Sequence, residues 1–362
     1  MLRTFVAILL LLHGLIHLMG FAKAFGFAEI DAITSRISKP LGLAWLAAAA
    51  QCTASSIMLF FGRSNWWMMA IPAIVLSQLL IIPHWQDARF GTIANLVVLV
   101  AIVLSWGNWQ FERKFRQDVR HELDRQRSMQ PDLVTAADLA GLPPPVQRYL
   151  RACGVVGRPR VMNMRVEFDG EMREKGKDFF PFHSLQYNCY DNYSRLFFMT
   201  GTMKGIQVPG YHRYAAQQAS MDIRLFGLFP VAKRSGEVMD NTETVTLFND
   251  MCLMAPATLI DPRIGWEPLD SLSAKAIFIN GPITISAILY FNAEGMLVNF
   301  VSKDRTEVNI NKQIPFSTPI HSWQEIDGRQ VLKEGDGVWH YPDGAFVYGK
   351  FRLKRIAYNV SQ

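Results

Sequence analysis

Residues 90–120 read FGTIANLVVLVAIVLSWGNWQFERKFRQDVR, and the change of character at Phe111 decides the fold. From Phe90 to Phe111 no Asp, Glu, Lys or Arg occurs, and from Glu112 onward charges crowd the chain. A bilayer core is crossed by roughly 20 mostly apolar residues at ~1.5 Å rise per residue. Three upstream stretches meet the same test: Thr4 to Ala22, Pro40 to Gly62, and Ser64 to Gln86. The turn at Gly62 to Asn65 is so short that the second and third helices are antiparallel neighbours. The first stretch also has features of a signal peptide, with Arg3 before the apolar run and Ala22-Lys23-Ala24 as a small-residue cleavage site. Its length and its two histidines favour a retained helix.

After the membrane segments the period changes. Phe111, Phe115, Val119 and Leu123 recur every fourth residue, which predicts an amphipathic stalk helix to Arg127. Its basic face either touches anionic lipid headgroups or is simply solvated. Pro131 ends it, and a short helix from about Pro145 to Ala152 stops at Gly154. Beyond Arg158 the period is two. Met162, Met164, Val166 and Phe168 alternate before a turn expected at Asp169-Gly170. Ile283 to Phe291 reads as a long strand, and turn pairs fall at Asn280-Gly281, Glu294-Gly295, Asp327-Gly328 and Asp343-Gly344. One helical interruption, with Val245, Phe248, Cys252, Ala255 and Leu259 on a stripe, is kinked or ended by Pro256. The expected architecture is an α-helical membrane bundle of four transmembrane helices plus an α+β soluble domain, a curved antiparallel sheet with a helix packed across it. Its divisions are residues 1–110, the four-helix transmembrane domain; 111–157, a helical stalk and linker; and 158–362, the antiparallel β-rich soluble domain.

Both termini share a side after four crossings. Arg3, Arg63, Arg113, Lys114, Arg116 and Arg120 flank the spans on that side, against Lys23, Arg36, Lys39 and Arg89 on the other. The excess points to a cytoplasmic soluble domain. Trp66, Trp67, Trp85, Trp106 and Trp109 stand at the ends of the apolar runs, where interfacial rings are expected. The formal charge of +6 is modest for 362 residues and concentrates beside the membrane, which argues against nucleic acid as a partner. Cys52, Cys153, Cys189 and Cys252 show neither zinc-ligand spacing nor a disulfide framework.

Polar residues within the spans are the first candidates for function. His13 and His17 share one face of the first helix, Gln78 and His84 lie toward the end of the third with Asp87 just beyond it, and Asn95 opens the fourth. Such groups are costly in lipid and face protein or water. They form a candidate ligand-binding cluster for a haem, quinone or headgroup, or they bond between helices as structural glue. Two histidines on one helix do not specify a metal site, so none is assigned and the cofactor stays open. In the soluble half, Asp336, His340 and Asp343 lie near turns, and Asp261, Arg263 and Glu267 follow the helix; turn chemistry accounts for the aspartates more simply than catalysis. Phe179 to Phe182 and Leu225 to Val231 are apolar, either as core, as a cavity rim, or as a loop that dips into lipid. No phosphate loop, zinc-protease motif, nucleophile elbow or dinucleotide fingerprint is present, so no catalytic residue is assigned.

The segments His13-Gly-Leu-Ile-His-Leu-Met-Gly-Phe-Ala-Lys-Ala-Phe25, Ser38-Lys-Pro-Leu-Gly-Leu-Ala-Trp45, Trp85-Gln-Asp-Ala-Arg-Phe-Gly-Thr-Ile-Ala-Asn95, Leu142-Pro-Pro-Pro-Val-Gln-Arg-Tyr-Leu150 and Trp266-Glu-Pro-Leu269 resemble an uncharacterised family of bacterial membrane proteins. That resemblance implies the architecture and brings no activity. The inferred sheet and helix look like the half-barrel of bacterial lipoprotein carriers, and Gly20-Phe-Ala-Lys23 is similar to small four-helix DoxX-type proteins. Fold alone does not fix function. A lipoprotein carrier is expected outside the cytoplasm, in conflict with the charge count. The leading expectation is a non-enzymatic, membrane-anchored protein that binds lipid or another apolar ligand. The alternatives are a redox or quinone-linked protein using the membrane histidines, and a structural or signalling protein whose soluble domain binds a protein partner.

Overall fold

A computed structural model describes residues 2–361, which divide into two compact units: the chain through Phe111 together with residues 226–228, and the remainder. The first unit holds α1 (Leu2–Phe25), α2 (Lys39–Phe60), α3 (Trp66–Ile81) and, after a 3-10 turn at Ile82–His84, the short α4 (Trp85–Ala88). It also holds the first part of α5 (Gly91–Gln126). Four segments, Leu2–Phe25, Lys39–Phe60, Trp66–Ala88 and Gly91–Gln126, are long and apolar enough to cross a membrane. Val6 and Leu10 of α1, Leu59 of α2, Ile74 of α3 and Val98 of α5 share one buried core. Outward-facing Phe5, Ile16, Leu79, Leu96 and Val100 are each more than half exposed, the reverse of a water-soluble bundle.

Glycine sets the approach of α1 to α2. A Cβ on Gly20 would fall within the Trp45 ring, and one on Gly42 would collide with Ala24, so these backbones close to a distance that larger residues forbid. Ser56 Oγ donates to the Ala7 carbonyl at 2.6 Å across the same interface. Trp66 and Trp67 are buried in the helical core instead of standing outward, whereas Trp85 and Trp106 are exposed.

In the second unit α6 (Pro144–Ala152) and α7 (Glu237–Met254) accompany fifteen strands. The first six are β1 (Asn163–Met172), β2 (Phe180–Cys189), β3 (Ser194–Met203), β4 (Ile206–Ala215), β5 (Gln218–Leu225) and β6 (Phe229–Ser235). After α7 come β7 (Ile264–Asp270), β8 (Ser273–Asn280), β9 (Ile283–Phe291), β10 (Leu297–Ser302), β11 (Thr306–Glu307) and β12 (Lys312–Gln313). The last three are β13 (Phe316–Ile326), β14 (Arg329–Tyr341) and β15 (Gly344–Tyr358). Thirteen strands make one antiparallel sheet in the order β6-β5-β4-β3-β2-β1-β15-β14-β13-β10-β9-β8-β7, and β11 pairs with β12 apart.

This order explains α7. The chain walks from β1 out to one edge at β6, crosses as α7 to the opposite edge at β7, and walks back until β15 pairs with β1. Because α7 touches β4, β5 and β6 as well as β9, β10 and β14, the sheet curves around it. The stripe read from the sequence is the face against the sheet: Phe248 stacks on Phe278 at 5.2 Å and meets Phe300 at 5.9 Å. Pro256 ends the helix, with a 3-10 turn at Pro256–Ile260 beyond it. Near that end the carbonyl of Cys252 accepts from Tyr149 Oη at 2.6 Å and that of Met254 from Tyr358 Oη, two partners for carbonyls that lack a helical donor.

The expected turn at Asp169-Gly170 is corrected. β1 runs on to Met172, and Gly170 lies mid-strand because the Phe182 ring occupies the space its side chain would need. The stalk is continuous with the fourth apolar segment as α5, and residues 112–157 fold in with the sheet. Phe115 packs on Phe198 at 5.3 Å and Tyr211 at 5.5 Å, while Glu122 accepts from Ser194 Oγ at 3.0 Å. Arg116 and Arg120 stay exposed.

Replacing Tyr149 by Phe strands the buried Cys252 carbonyl, at a cost of about 1–3 kcal/mol. Thermal unfolding of the detergent-solubilised full chain, followed by near-UV circular dichroism, should show the melting temperature fall. An unchanged melting temperature would mean that the hydroxyl is not holding the end of α7.

Candidate ligand-binding site

Three of the polar residues singled out in the spans, His13, His17 and Asn95, converge on one serine, and Gln78 joins them through Asn95. His13 Nε2 and His17 Nε2 lie 2.9 and 2.8 Å from Ser77 Oγ. Asn95 Nδ2 donates to Ser77 Oγ and to Gln78 Oε1, each at 3.0 Å, and Gln78 Nε2 donates to Thr92 Oγ1 at 3.2 Å. A hydroxyl has one donor and two acceptor positions, so Ser77 gives its proton to one histidine and accepts from the other and from Asn95. His17 Nδ1 and Asn95 Oδ1 are buried and have no hydrogen-bond partner among the described residues. His84 stands apart, bonded to the Leu80 carbonyl at 2.9 Å and joined to His17 only through ring contacts with Trp45. Asp87 belongs to a different structure again, accepting from the backbone and hydroxyls of Thr34 and Ser35 and fixing the loop between α1 and α2. Among the described residues no group of three His, Cys, Asp or Glu could hold a metal ion.

The second site lies inside the sheet unit. Between α7 and the curved sheet is a cavity of about 360 Å³, within the range of small-molecule sites. Its wall is largely apolar, with Met199, Met221, Ile223, Leu253, Phe180 and Phe351 contributing from strands and helix. Methionine is an adaptable lining, since its unbranched, polarizable chain repacks around different shapes. α7 is thus buried all round: Val245 and Phe248 face the sheet, and Glu243, Thr246 and Asp250 look into the cavity.

Those two acids meet an arginine from β3. Arg195 Nε donates to Asp250 Oδ2 at 2.7 Å and Nη1 to Glu243 Oε2 at 3.0 Å. Gln186 Nε2 and Asn188 Nδ2 also donate to Asp250, at 2.6 and 3.2 Å, and His212 Nδ1 sits 2.8 Å from Glu243 Oε1. Burial by itself would raise the Glu243 carboxyl, but Arg195, then His212 and Arg305, outweigh it and bring the pKa from the usual 4.5 to about 2. Burial likewise opposes the Arg195 charge, and Asp250 and Glu243 overcome it so that its pKa is raised. Glu243 and Arg195 therefore stay ionised inside an apolar chamber.

Sequence reasoning missed this network. Its signal was Glu243 and Asp250 seven apart, two turns along one face of the helix, with Arg195 as a lone charge before Leu196-Phe-Phe198. Asp336, His340 and Asp343 do not assemble: Asp336 pairs with His321 at 3.0 Å, His340 bonds Ser317 at 2.7 Å, and Asp343 holds Lys175 at 2.7 Å. Asp261 pairs with Arg263 and Glu267 with Lys275. Of the two apolar segments, Phe182 is core and Phe180 lines the cavity, while Phe229 and Val231 on β6 are about two-thirds exposed.

Fold and site together define a class: one antiparallel sheet wrapped around a single helix, with a mostly apolar chamber between them, in a chain that also carries four long apolar helices. The chain belongs to the family of unknown function DUF6544, whose model matches residues 132–351, from before α6 into β15. Curated protein sequences give no match. Among solved structures, a LolA-superfamily protein from Nitrosomonas europaea is similar at 9% identity and a TM-score of 0.35, covering 63% of this chain and 94% of that one. A likeness of that degree decides neither ligand nor mechanism.

Arg195→Met removes the guanidinium that the buried Glu243 and Asp250 share, and the expected destabilisation is about 3–5 kcal/mol in denaturant unfolding of the full chain. A loss below about 1 kcal/mol would contradict the buried triad. Because the Glu243 pKa is lower folded than unfolded, its stabilisation is complete above about pH 4.5 and fades as pH falls toward 2. Glu243→Gln should flatten that part of the stability profile; an identical acid slope in the variant would show that another group carries it.

Proposed function

We propose that this protein is a membrane-anchored binding protein for an apolar ligand, lipid or lipid-linked, held between the curved sheet and α7 without a catalytic step. The observation that carries the reading is the cavity of about 360 Å³ with its methionine and aromatic wall. The anchor is the set of four apolar helices, whose outward Phe5, Ile16, Leu79 and Leu96 suit lipid as solvent. We take the location to be a bacterial inner membrane, and the basic residues in the second half of α5 and in the α2–α3 turn favour a sheet on the cytoplasmic side. Such an arrangement tethers a lipid-binding chamber to the membrane that supplies its ligand.

A second reading assigns ligand binding to His13, His17, Gln78 and Asn95. It is favoured by one observation, the unpartnered His17 Nδ1 and Asn95 Oδ1 beside Ser77, which a headgroup or quinone oxygen could satisfy. Here a chromophore co-purifying with the wild type and absent after His13→Gln and His17→Gln is the expected sign. A colourless wild type with unaltered function in the double variant would remove this reading.

The leading reading is tested with a hydrophobic dye and the full chain in amphipol. Thr246 faces the chamber, so Thr246→Trp fills it, and saturable dye binding should weaken tenfold or more. Equal binding by the filled variant would show that the chamber is not the site.

A further inference from the structure

We propose that the chamber selects an amphiphile with an anionic head, carboxylate or phosphate, and that Arg305, seconded by Arg173, is the anchor for that head; this rests on the chamber being an apolar binding site. The inference comes from sorting the charged groups of its wall by what already satisfies them. Glu243 and Asp250 share Arg195. Glu174 holds Lys177 at 2.6 Å, and Lys175 holds Asp343 at 2.7 Å. Glu307 accepts from Asn309 Nδ2 and the Ile310 amide, both at 2.9 Å. Every carboxylate of the lining is thus occupied.

Two guanidinium groups remain, and among the described residues neither Arg173 nor Arg305 pairs with a carboxylate. Arg305 is held by rings instead: its Cζ lies 4.1 Å from the centre of Phe316 and 5.0 Å from that of Trp339, and Nη1 donates to Tyr348 Oη at 3.0 Å. Arg173 lies 4.2 Å over Phe179 and 4.8 Å over Phe346, with Nε on the Val347 carbonyl at 2.9 Å. Rings that engage the flat face of a guanidinium leave its donor edge free and hold the group where it would otherwise need water. Arg305 Nε is buried and has no hydrogen-bond partner among the described residues. A buried donor without an acceptor is costly, and the Nε–Nη2 edge is the fork that takes two oxygens of a carboxylate or phosphate side by side.

The placement fits an amphiphile. Arg305 shares one chamber with Met199, Met221 and Leu253, so a chain lying against those residues can end in a head that reaches the guanidinium. A cationic head would meet Arg173 and Arg305, and a neutral ester would offer the Arg305 Nε–Nη2 edge no anionic pair of oxygens. The wall therefore discriminates by charge at one end and by apolar fit along the rest.

Trp339 touches the Arg305 guanidinium and provides the readout. The full chain in amphipol is titrated with dibromostearic acid, its methyl ester, and a brominated monoacyl phosphate, and the bromine quenching of Trp339 is taken as the difference between wild type and Trp339→Phe. The acid is expected to quench at a concentration at least tenfold below that of the ester, with Arg305→Gln bringing the ratio toward one and Arg305→Lys keeping part of it. Circular dichroism and the melting temperature of each variant show that it folds. Stronger quenching by the phosphate than by the acid assigns the head to a phospholipid source, and the reverse to a free fatty acid; both support the anion site. Equal potency of acid and ester in the wild type overturns anion recognition while leaving the apolar site intact. Saturable quenching by none of the three overturns the chamber as a binding site, and with it this inference. A tenfold preference surviving in Arg305→Gln removes Arg305 as the anchor.

Discussion

Arg195, standing between Glu243 and Asp250, ties the helix that crosses the sheet to a strand of that sheet, and the chamber exists because of the tie. Without α7 running from β6 to β7, the two runs of strands would have no common object to curve around. The apolar stripe at Phe248 supplies adhesion to β8 and β10, but adhesion alone would let the helix settle fully onto the sheet. The charged face prevents that, since two carboxylates and a guanidinium tolerate burial only in one mutually satisfied arrangement. What is left between the polar contacts is a space with apolar walls.

The same logic applies at the ends of the helix. Pro256 forbids a further turn, and hydroxyls from Tyr149 and Tyr358 answer carbonyls near the stop, one from α6 and one from β15. These contacts join chain positions about a hundred residues apart. The short helix after the proline run, bland in isolation, is therefore part of how α7 is held in length and position.

Much of this was legible in the sequence because period and turn chemistry are local. The uncharged runs located four helices, the fourfold stripe of Phe115, Val119 and Leu123 located the stalk, and Asn280-Gly281, Asp327-Gly328 and Asp343-Gly344 located hairpins. Asp169-Gly170 misled because the glycine answers a ring from a neighbouring strand, a contact invisible along the chain. The site was hidden for the same reason. Arg195, Gln186 and His212 come from three strands and meet Glu243 and Asp250 only after the sheet has curved. In the spans, by contrast, His13, His17, Gln78 and Asn95 were found because polar residues in an apolar run are conspicuous, although Asp87 proved to serve a loop.

The central claim is that an acyl or similarly apolar chain occupies the space between α7 and the sheet in the living cell. The most direct measurement is photocrosslinking from a benzoylphenylalanine placed at Met199, on the chamber wall, compared with one at the exposed Glu325, in cells fed a radiolabelled fatty acid. Label attached to the protein from position 199 and not from 325 is the expected result. Equal labelling at both positions, or none at 199 in a folded protein, would contradict a lipid-filled chamber.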